Sequence, residues 1–295
     1  MFCDGALAER IERAEVDLIS AHVRAAHRRQ GEGAGFLIPV GGGMASFADD
    51  GSPFNKVVGL GFDGVPDVDA LETIERAFGN RGLPTQVELA DLADPEVGIV
   101  LTGRGYRLES FENVLGRAID GSPEAPAPPG IEVRSSGNDE FEAWLRVVAD
   151  AAAQPDTEGL PWHEDFPRDV YERAQRDSFD AGVLRFAALR NGTLAGGAEL
   201  RITHGIAQFV GAATAHQHRR QGIQTALLHA RLAVAAATGC DIAIIVTQPG
   251  SKSQQNSQRC GFDLLYTRAV LVKQPTRYAL GHLGDGRAQL APQSR

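Results

Sequence analysis

The stretches RGYRLESFENVLGR (Arg104–Arg117) and CGFDLLYTRAVLVK (Cys260–Lys273) fall on one another when the chain is slid against itself by 156 positions. Gly105 meets Gly261, Tyr106 meets Phe262, Leu108 meets Leu264, Val114 meets Val270, Leu115 meets Leu271 and Arg117 meets Lys273. Each block opens on a glycine–aromatic turn and continues as a strand-like run. Moving outward with no gap, the helix-periodic VDALETIERAF (Val68–Phe78) falls on QTALLHARLAV (Gln224–Val234). The strand-like QVEL (Gln86–Leu89) falls on IAII (Ile242–Ile245). One offset that brings a helix, a strand and a closing block into register predicts two related α+β domains. The alternative is two unrelated α/β domains of similar periodicity.

A proline-rich segment, GSPEAPAPPG (Gly121–Gly130), has no periodicity and reads as a linker. The expected organisation is therefore a first domain over 1–120, a linker over 121–130, a second domain over 131–273 and a tail over 274–295. In the second domain the patterns predict a strand at Ile131–Arg134 and helices at Asn138–Ala153 and Asp169–Asp177. Strands follow at Val183–Leu189, Thr193–Ile202 and Ile206–Ala213, with Asn191-Gly192 as a hairpin turn. A long helix from Ile223 to about Thr238 ends at Gly239. Next come a buried strand at Asp241–Val246, a short helix at Ser251–Arg259, the Gly261-Phe262 turn and two closing strands.

The sharpest local signal is Arg219-Arg220-Gln221-Gly222-Ile223-Gln224-Thr225, which joins a strand to the start of that long helix. A helix start exposes N–H groups that have no intrahelical partner, and the helix dipole adds about half a positive charge there. Gly222 lets a ligand approach the backbone, and the two arginines add charge. The other reading is an ordinary basic helix start, although basic residues there are disfavoured unless an anion is bound. The first domain supplies an internal contrast. At the matching offset it has Asp63-Gly64-Val65-Pro66-Asp67-Val68-Asp69, with three aspartates where the second has basic residues and a proline that has no N–H to give.

At these residues the second domain resembles the GNAT superfamily of acetyltransferases. The family's pyrophosphate loop reads Q/R-x-x-G-x-G/A, and here Arg219, Gly222 and Gln224 occupy those positions, the last departing from the pattern. Asn256-x-x-Arg259-x-Gly261-Phe262 is similar to the family's last helix and its ending. The resemblance covers about Ile131–Lys273. It implies an α+β fold of two GNAT-like domains, each a mixed, mostly antiparallel twisted sheet flanked by helices, with the first a degenerate repeat without a pyrophosphate loop. It also implies acetyl-CoA as co-substrate, gripped by Arg219, Arg220, Gln221, Gly222, Ile223, Gln224 and Thr225 with Asn256 nearby. Pantetheine would lie between two splayed strands against the backbone of Thr214, Ala215 and His216.

Acyl transfer to an amine needs a neutral nucleophile, a positioned thioester and a stabilised leaving thiolate. Glu199, on a central strand, is the first choice of base, with a solvated strand residue as the alternative; His216 is a second candidate base. Ser257 stands where the family often has an acidic tyrosine, and Tyr266 is the nearest tyrosine downstream. The His216-x-His218 pair lacks further ligands, so no metal site is expected. From Pro155 to Asp180 eight acids face three arginines. If this region lines the acceptor side, Asp156, Glu158 and Glu164 with Trp162 suit a cationic amine; otherwise it is a solvated helix face with a buried tryptophan.

Composition narrows the class. The 295 residues are 43% hydrophobic, enough for real cores. No apolar run is long enough to span a bilayer and the N-terminus lacks a secretion-signal pattern, so a cytoplasmic protein is expected. Three scattered cysteines make no disulfide framework, and a net charge of −9 disfavours nucleic acid as a partner. The oligomeric state is not legible. The leading expectation is a GNAT-type N-acetyltransferase acting on a primary amine of a small molecule. The rival is a non-catalytic acyl-CoA-binding or ligand-sensing protein. A nucleotide-phosphate protein is disfavoured because the loop has no Gly-Lys-Ser/Thr.

Overall fold

A computed structural model describes residues 1–31, 33–121, 126–154 and 166–275. The first half runs α1 (Gly5–Gln30), β1 (Phe36–Val40), β2 (Gly43–Phe47), β3 (Val57–Val58), α2 (Val68–Gly79), β4 (Thr85–Ala90), α3 (Pro95–Gly103) and β5 (Arg107–Ala118). The second runs β6 (Ile131–Ser135), α4 (Phe141–Ala152), α5 (Arg168–Asp180), β7 (Leu184–Arg190), β8 (Thr193–Thr203), β9 (Ile206–Thr214), α6 (Ile223–Ala237), β10 (Ile242–Thr247), α7 (Lys252–Arg259) and β11 (Asp263–Lys273). Asp4 caps α1 by accepting the Leu7 N–H at 2.9 Å, and His27, Arg28 and Arg29 close its last turn, where the helix dipole favours positive charge. Asn191 and Gly192 both take positive φ, 49° and 79°, making the tight β7–β8 turn. Among the described residues no helix is long and apolar enough to cross a membrane.

Each half is a twisted, mostly antiparallel set of strands flanked by helices, but the sheet does not divide where the chain does. The described strands form one eleven-stranded sheet in the order β1-β2-β3-β4-β11-β5-β10-β9-β8-β7-β6. The last strand of each half has crossed into the other. β11 lies against β4, Arg268 opposite Ala90 through Lys273 opposite Thr85. β5 lies against β10, Ala118 opposite Ile242 through Asn113 opposite Thr247. β5 and β11 also pair with each other, and Glu112 lies opposite Arg268. Those two residues are 268 − 112 = 156 positions apart, the repeat offset itself, so a local two-fold axis passes between them. The expectation of two closing strands after Gly261-Phe262 is corrected here: among the described residues only β11 follows, and the place beside β10 is taken by β5.

The exchange is built into both cores. Tyr266 and Leu271 of β11 pack in the first-half core with Ile11, Leu71, Ile74 and Phe78. Leu115 of β5 packs in the second-half core with Leu227, Leu228, Ile245 and Phe262. At the crossing Arg268 is only 1% exposed. Its Nε donates to Glu12 Oε1 at 2.7 Å, and the Tyr266 hydroxyl donates to the same oxygen at 2.7 Å. Glu88, Glu112 and Glu15 stand 3.8, 3.7 and 3.9 Å from the guanidinium, and Lys56 donates to Glu88 at 2.7 Å. Four carboxylates thus face two cations, and burial pushes the Glu15 carboxyl up.

Removing one partner of a buried ion cluster leaves the others uncompensated. Arg268→Ala is expected to cost about 3–5 kcal/mol of stability, read by urea unfolding. A loss under about 1 kcal/mol, the range of an exposed ion pair, would contradict the role assigned to this residue.

Candidate functional site

In the second half two neighbouring strands of the sheet pair over only part of their length. Parallel pairing of β9 with β10 covers only Ile206–Ile242, Ala207–Ala243 and Gln208–Ile244. Beyond Gln208 the two strands part. Three residues later Gly211, at φ 44°, is an extra residue in β9: Ala198 faces Ala212 while Glu199 faces Val210. Such bulges re-aim neighbouring side chains. A Cβ on Gly211 would stand 3.3 Å from Glu199 Oε2, so the carboxylate lies against the bare backbone of the bulge.

Glu199 is 3% exposed. Burial raises its carboxyl from an ordinary 4.5 to about 7, with Arg185 opposing the rise. Arg185 faces it across the β7–β8 pair, rests over the Phe141 ring at 4.3 Å and donates to Asn138 Oδ1 at 2.6 Å. With its amide nitrogen toward the carboxylate, Gln175 donates to the two oxygens at 3.1 and 3.2 Å. Below the sheet the fully buried Arg231 of α6 donates from Nη1 to the Glu199 carbonyl at 3.0 Å and lies over the Phe209 ring at 4.3 Å. Burial lowers this guanidinium to about 9, Glu199 opposing. A carboxyl with this proton affinity suits acid–base work near neutral pH.

The chain leaves β9 at Thr214 and turns through Arg220 and Gly222, both at positive φ, 59° and 87°, into α6. The first residue to complete an intrahelical bond is Ala226, whose N–H donates to the Gly222 carbonyl at 3.0 Å. Ile223, Gln224 and Thr225 therefore have no intrahelical acceptor, and no side chain caps this end. The equivalent helix of the first half differs. Asp67 caps α2 by accepting the Ala70 N–H at 2.7 Å, so that helix start already carries a carboxylate. Gln221 Nε2 donates to the Gln217 carbonyl at 3.3 Å.

The predicted binding residues are not all placed alike. Arg219 is committed elsewhere: it donates to the Thr214 carbonyl at 3.3 Å, to Ala151 at 3.2 Å and also to Gln154, which neutralises the carbonyl end of α4. Gln224 accepts from Asn256 Nδ2 at 2.5 Å, so the side chain that departs from the Gly/Ala pattern ties α6 to α7. The Ala215 N–H is bonded to the Ala195 carbonyl, and His216 begins a short turn whose carbonyl accepts the Arg219 N–H.

Ser257 lies fully buried in α7 and donates to the Ser253 carbonyl at 2.9 Å. Tyr266 is not brought to Glu199. Its strand is four places from β8 in the sheet, about 19 Å at the usual interstrand spacing, and its hydroxyl is spent on Glu12. Asp156, Glu158, Trp162 and Glu164 lie outside the described residues. Sequence reading passed over Arg185, Arg231, Gln175 and the nearness of Tyr171 to Glu199, where burial and the Glu199 charge push its phenol up. The available signal was a charge inside an apolar strand, LRFAALR, and inside an apolar helix, ALLHARLAV.

Residues 148–262 match the acetyltransferase (GNAT) family, so the second half of this chain carries a GNAT domain. Solved structures with a similar fold include a GCN5-related N-acetyltransferase from Kribbella flavida, at 20% identity and TM-score 0.62, over 90% of this chain and 95% of that one. A tandem GNAT protein from the clavulanic acid biosynthesis pathway matches at 12% identity and TM-score 0.59, over 86% and 87%. A GCN5-related N-acetyltransferase from Sphaerobacter thermophilus matches at 17% and 0.53, over 70% and 66%. At these identities the likeness concerns the fold. None of the curated proteins compared matches the sequence.

A raised carboxyl binds its proton more tightly in the folded state, so its stabilising contribution falls as pH climbs from 4.5 to about 7. Glu199→Gln is expected to gain stability over the parent across that window, reaching on the order of 2–3 kcal/mol by pH 8 in urea titrations. A difference independent of pH would contradict the placement.

Proposed function

We propose that the second half is an N-acyltransferase that moves an acetyl group from acetyl-CoA to a primary amine of a small acceptor by direct transfer. The observation that carries this reading is the bulge at Gly211: it sets a buried carboxyl of raised proton affinity beside the point where β9 and β10 part. Acetyl-CoA supplies the activated thioester. Its diphosphate fits the uncapped start of α6, where the Ile223, Gln224 and Thr225 amides and the helix dipole face an anion, with Arg220, Gln221 and Gly222 shaping the turn. Asn256, through Gln224, closes the side toward α7. The pantetheine arm fits the parted strands along Thr214, Ala215 and His216, with the loop held in shape by Arg219.

Glu199 receives a proton from the incoming ammonium group through water admitted at the bulge, leaving the amine lone pair free to attack. Arg185 and Gln175 hold the carboxylate in place. Tyr266 is spent on Glu12 and Ser257 supplies a hydroxyl contact from α7, so the leaving thiolate takes up the proton that the attacking nitrogen releases. The first half, a degenerate repeat whose α2 carries its own aspartate cap, holds no diphosphate site. A cationic acceptor suits the acids of this part of the sequence, Asp156, Glu158 and Glu164 with Trp162, if they line the acceptor side.

Two variants separate binding from chemistry. Gly222→Val forces a side chain onto φ 87° and toward Pro128, 3.1 Å from the new Cβ, and is expected to weaken acetyl-CoA binding about tenfold or more by calorimetry. Glu199→Gln is expected to leave that binding unchanged and to lower kcat by about 10²- to 10⁴-fold in a thiol-release assay over a panel of primary amines. Binding without turnover on any amine identifies a CoA sensor instead. No binding at all removes the proposal.

A further inference from the structure

The N-terminal helix α1 is 26 residues long and reaches beyond its own half to pack on α5 of the other. There its His22 is buried, stacked on Phe54 at 4.2 Å. Its Nδ1 is 2.9 Å from the Leu18 carbonyl oxygen, which only accepts, so Nδ1 carries the hydrogen. Burial holds the ring's pKa down at about 4, helped by Arg201 and opposed by the Leu18 bond and Asp177, so at neutral pH Nε2 is a bare acceptor. That nitrogen is 3.1 Å from Ser178 Oγ. The hydrogen between them must be the hydroxyl's. The Ala174 carbonyl, 3.2 Å from Ser178 Oγ, competes for the same hydrogen, but it keeps its helical N–H without the hydroxyl, whereas Nε2 at 3.1 Å has no other hydrogen-bond partner among the described residues. A histidine nitrogen left without a donor in this buried place would cost about 1–3 kcal/mol.

Ser178 stands within hydrogen-bond reach of the Glu199 carboxyl, one turn along α5 from Gln175, and its hydroxyl, if donated to the carboxylate, would hold that carboxyl's proton affinity down. We propose that His22 is a positioning residue for Glu199: by taking the Ser178 hydroxyl hydrogen it turns that oxygen's lone pairs, and not its O–H, toward the carboxyl. Ser178 then receives a hydrogen bond from the protonated acid and gives none to the carboxylate. When Glu199 takes a proton, one N–H of the ammonium breaks, one O–H of the carboxyl forms, and the new O–H points to Ser178 Oγ. The first half, without a diphosphate site of its own, thereby sets the proton affinity of the acid–base group in the second. The charged and titratable groups facing this pair are Arg185 from β7, Tyr171 from α5 and Arg231 from α6 around Glu199, and Arg201 from β8 and Asp177 from α5 around His22. The inference rests on Glu199 as the proton acceptor of the proposed reaction, but its test does not.

The test is a pH titration of the Glu199 side-chain carboxyl by carbon-13 NMR in the full-length protein labelled at glutamate, the signal assigned by its loss in Glu199→Gln. His22→Phe keeps the stacking on Phe54 and removes the acceptor, freeing the hydroxyl to donate to the carboxylate. Its midpoint is expected about one unit lower than the parent's. His22→Gln, whose amide oxygen accepts, is expected to stay within about 0.3 unit of the parent, and it serves as the second variant if His22→Phe does not fold. In a Ser178→Ala background replacing His22 is expected to move nothing. A His22→Phe midpoint equal to the parent's, a His22→Gln midpoint displaced by as much as His22→Phe, or an equal displacement without Ser178, overturns the proposal. Absence of turnover with a displaced midpoint counts against the acyltransferase reading alone. Turnover that needs Glu199 with an unmoved midpoint counts against His22 alone.

Discussion

The organisation depends on one constraint: the two strands at the middle of the sheet belong, by chain order, to the wrong halves. β5 and β11 are hydrogen-bonded on both sides, to each other and to β10 or β4. If either were withdrawn, a row of N–H and C=O groups would be left unpaired inside the molecule, at a cost comparable to many lost hydrogen bonds. The core residues Leu115, Tyr266 and Leu271 would leave with them. The Arg268 cluster fixes the crossing chemically, because one guanidinium from the second half neutralises carboxylates on α1, β4 and β5 of the first.

The site follows from that arrangement. With the halves locked together, α1 lies along α5, and Arg29 bridges to Asp177 at 2.8 Å while Arg173 reaches Asp49 at 2.9 Å. These contacts hold α1 and the Asp49 loop on α5, the helix whose Gln175 and Ser178 face Glu199, and burial is what raises the carboxyl's proton affinity. The two equivalent helix starts differ. One is capped by Asp67; the other, behind Gly222, has no side-chain cap. On the proposed reading, a few residues in one loop separate a binding half from a supporting one.

Much of this was legible in the sequence because its signals are local. The 156-residue offset, helix α6 and its glycine start, and the Asn191-Gly192 turn are written in short-range periodicity and turn chemistry. The same offset also carries α3 onto α7, which the sequence comparison had not used. The strand exchange was not legible, for a physical reason. β5 and β11 resemble each other residue by residue, so their hydrophobic pattern fits either sheet equally well. Tyr266 entered the reading only as the nearest tyrosine downstream of Ser257, and the exchange carries it to Glu12. Glu199 stood out as a charge on a central strand. Arg185, Gln175 and Ser178 did not, because their meaning lies in what they face across strands and helices.

The exchange is tested most directly by separating the halves. Fragments 1–121 and 126–295 would be produced singly and together, and their mass, cooperative unfolding and acetyl-CoA binding measured. The account predicts that neither fragment alone is a cooperatively folding monomer, and that together they form a one-to-one complex with the melting behaviour of the intact chain. A 126–295 fragment that folds alone as a monomer and binds acetyl-CoA with full affinity would contradict it.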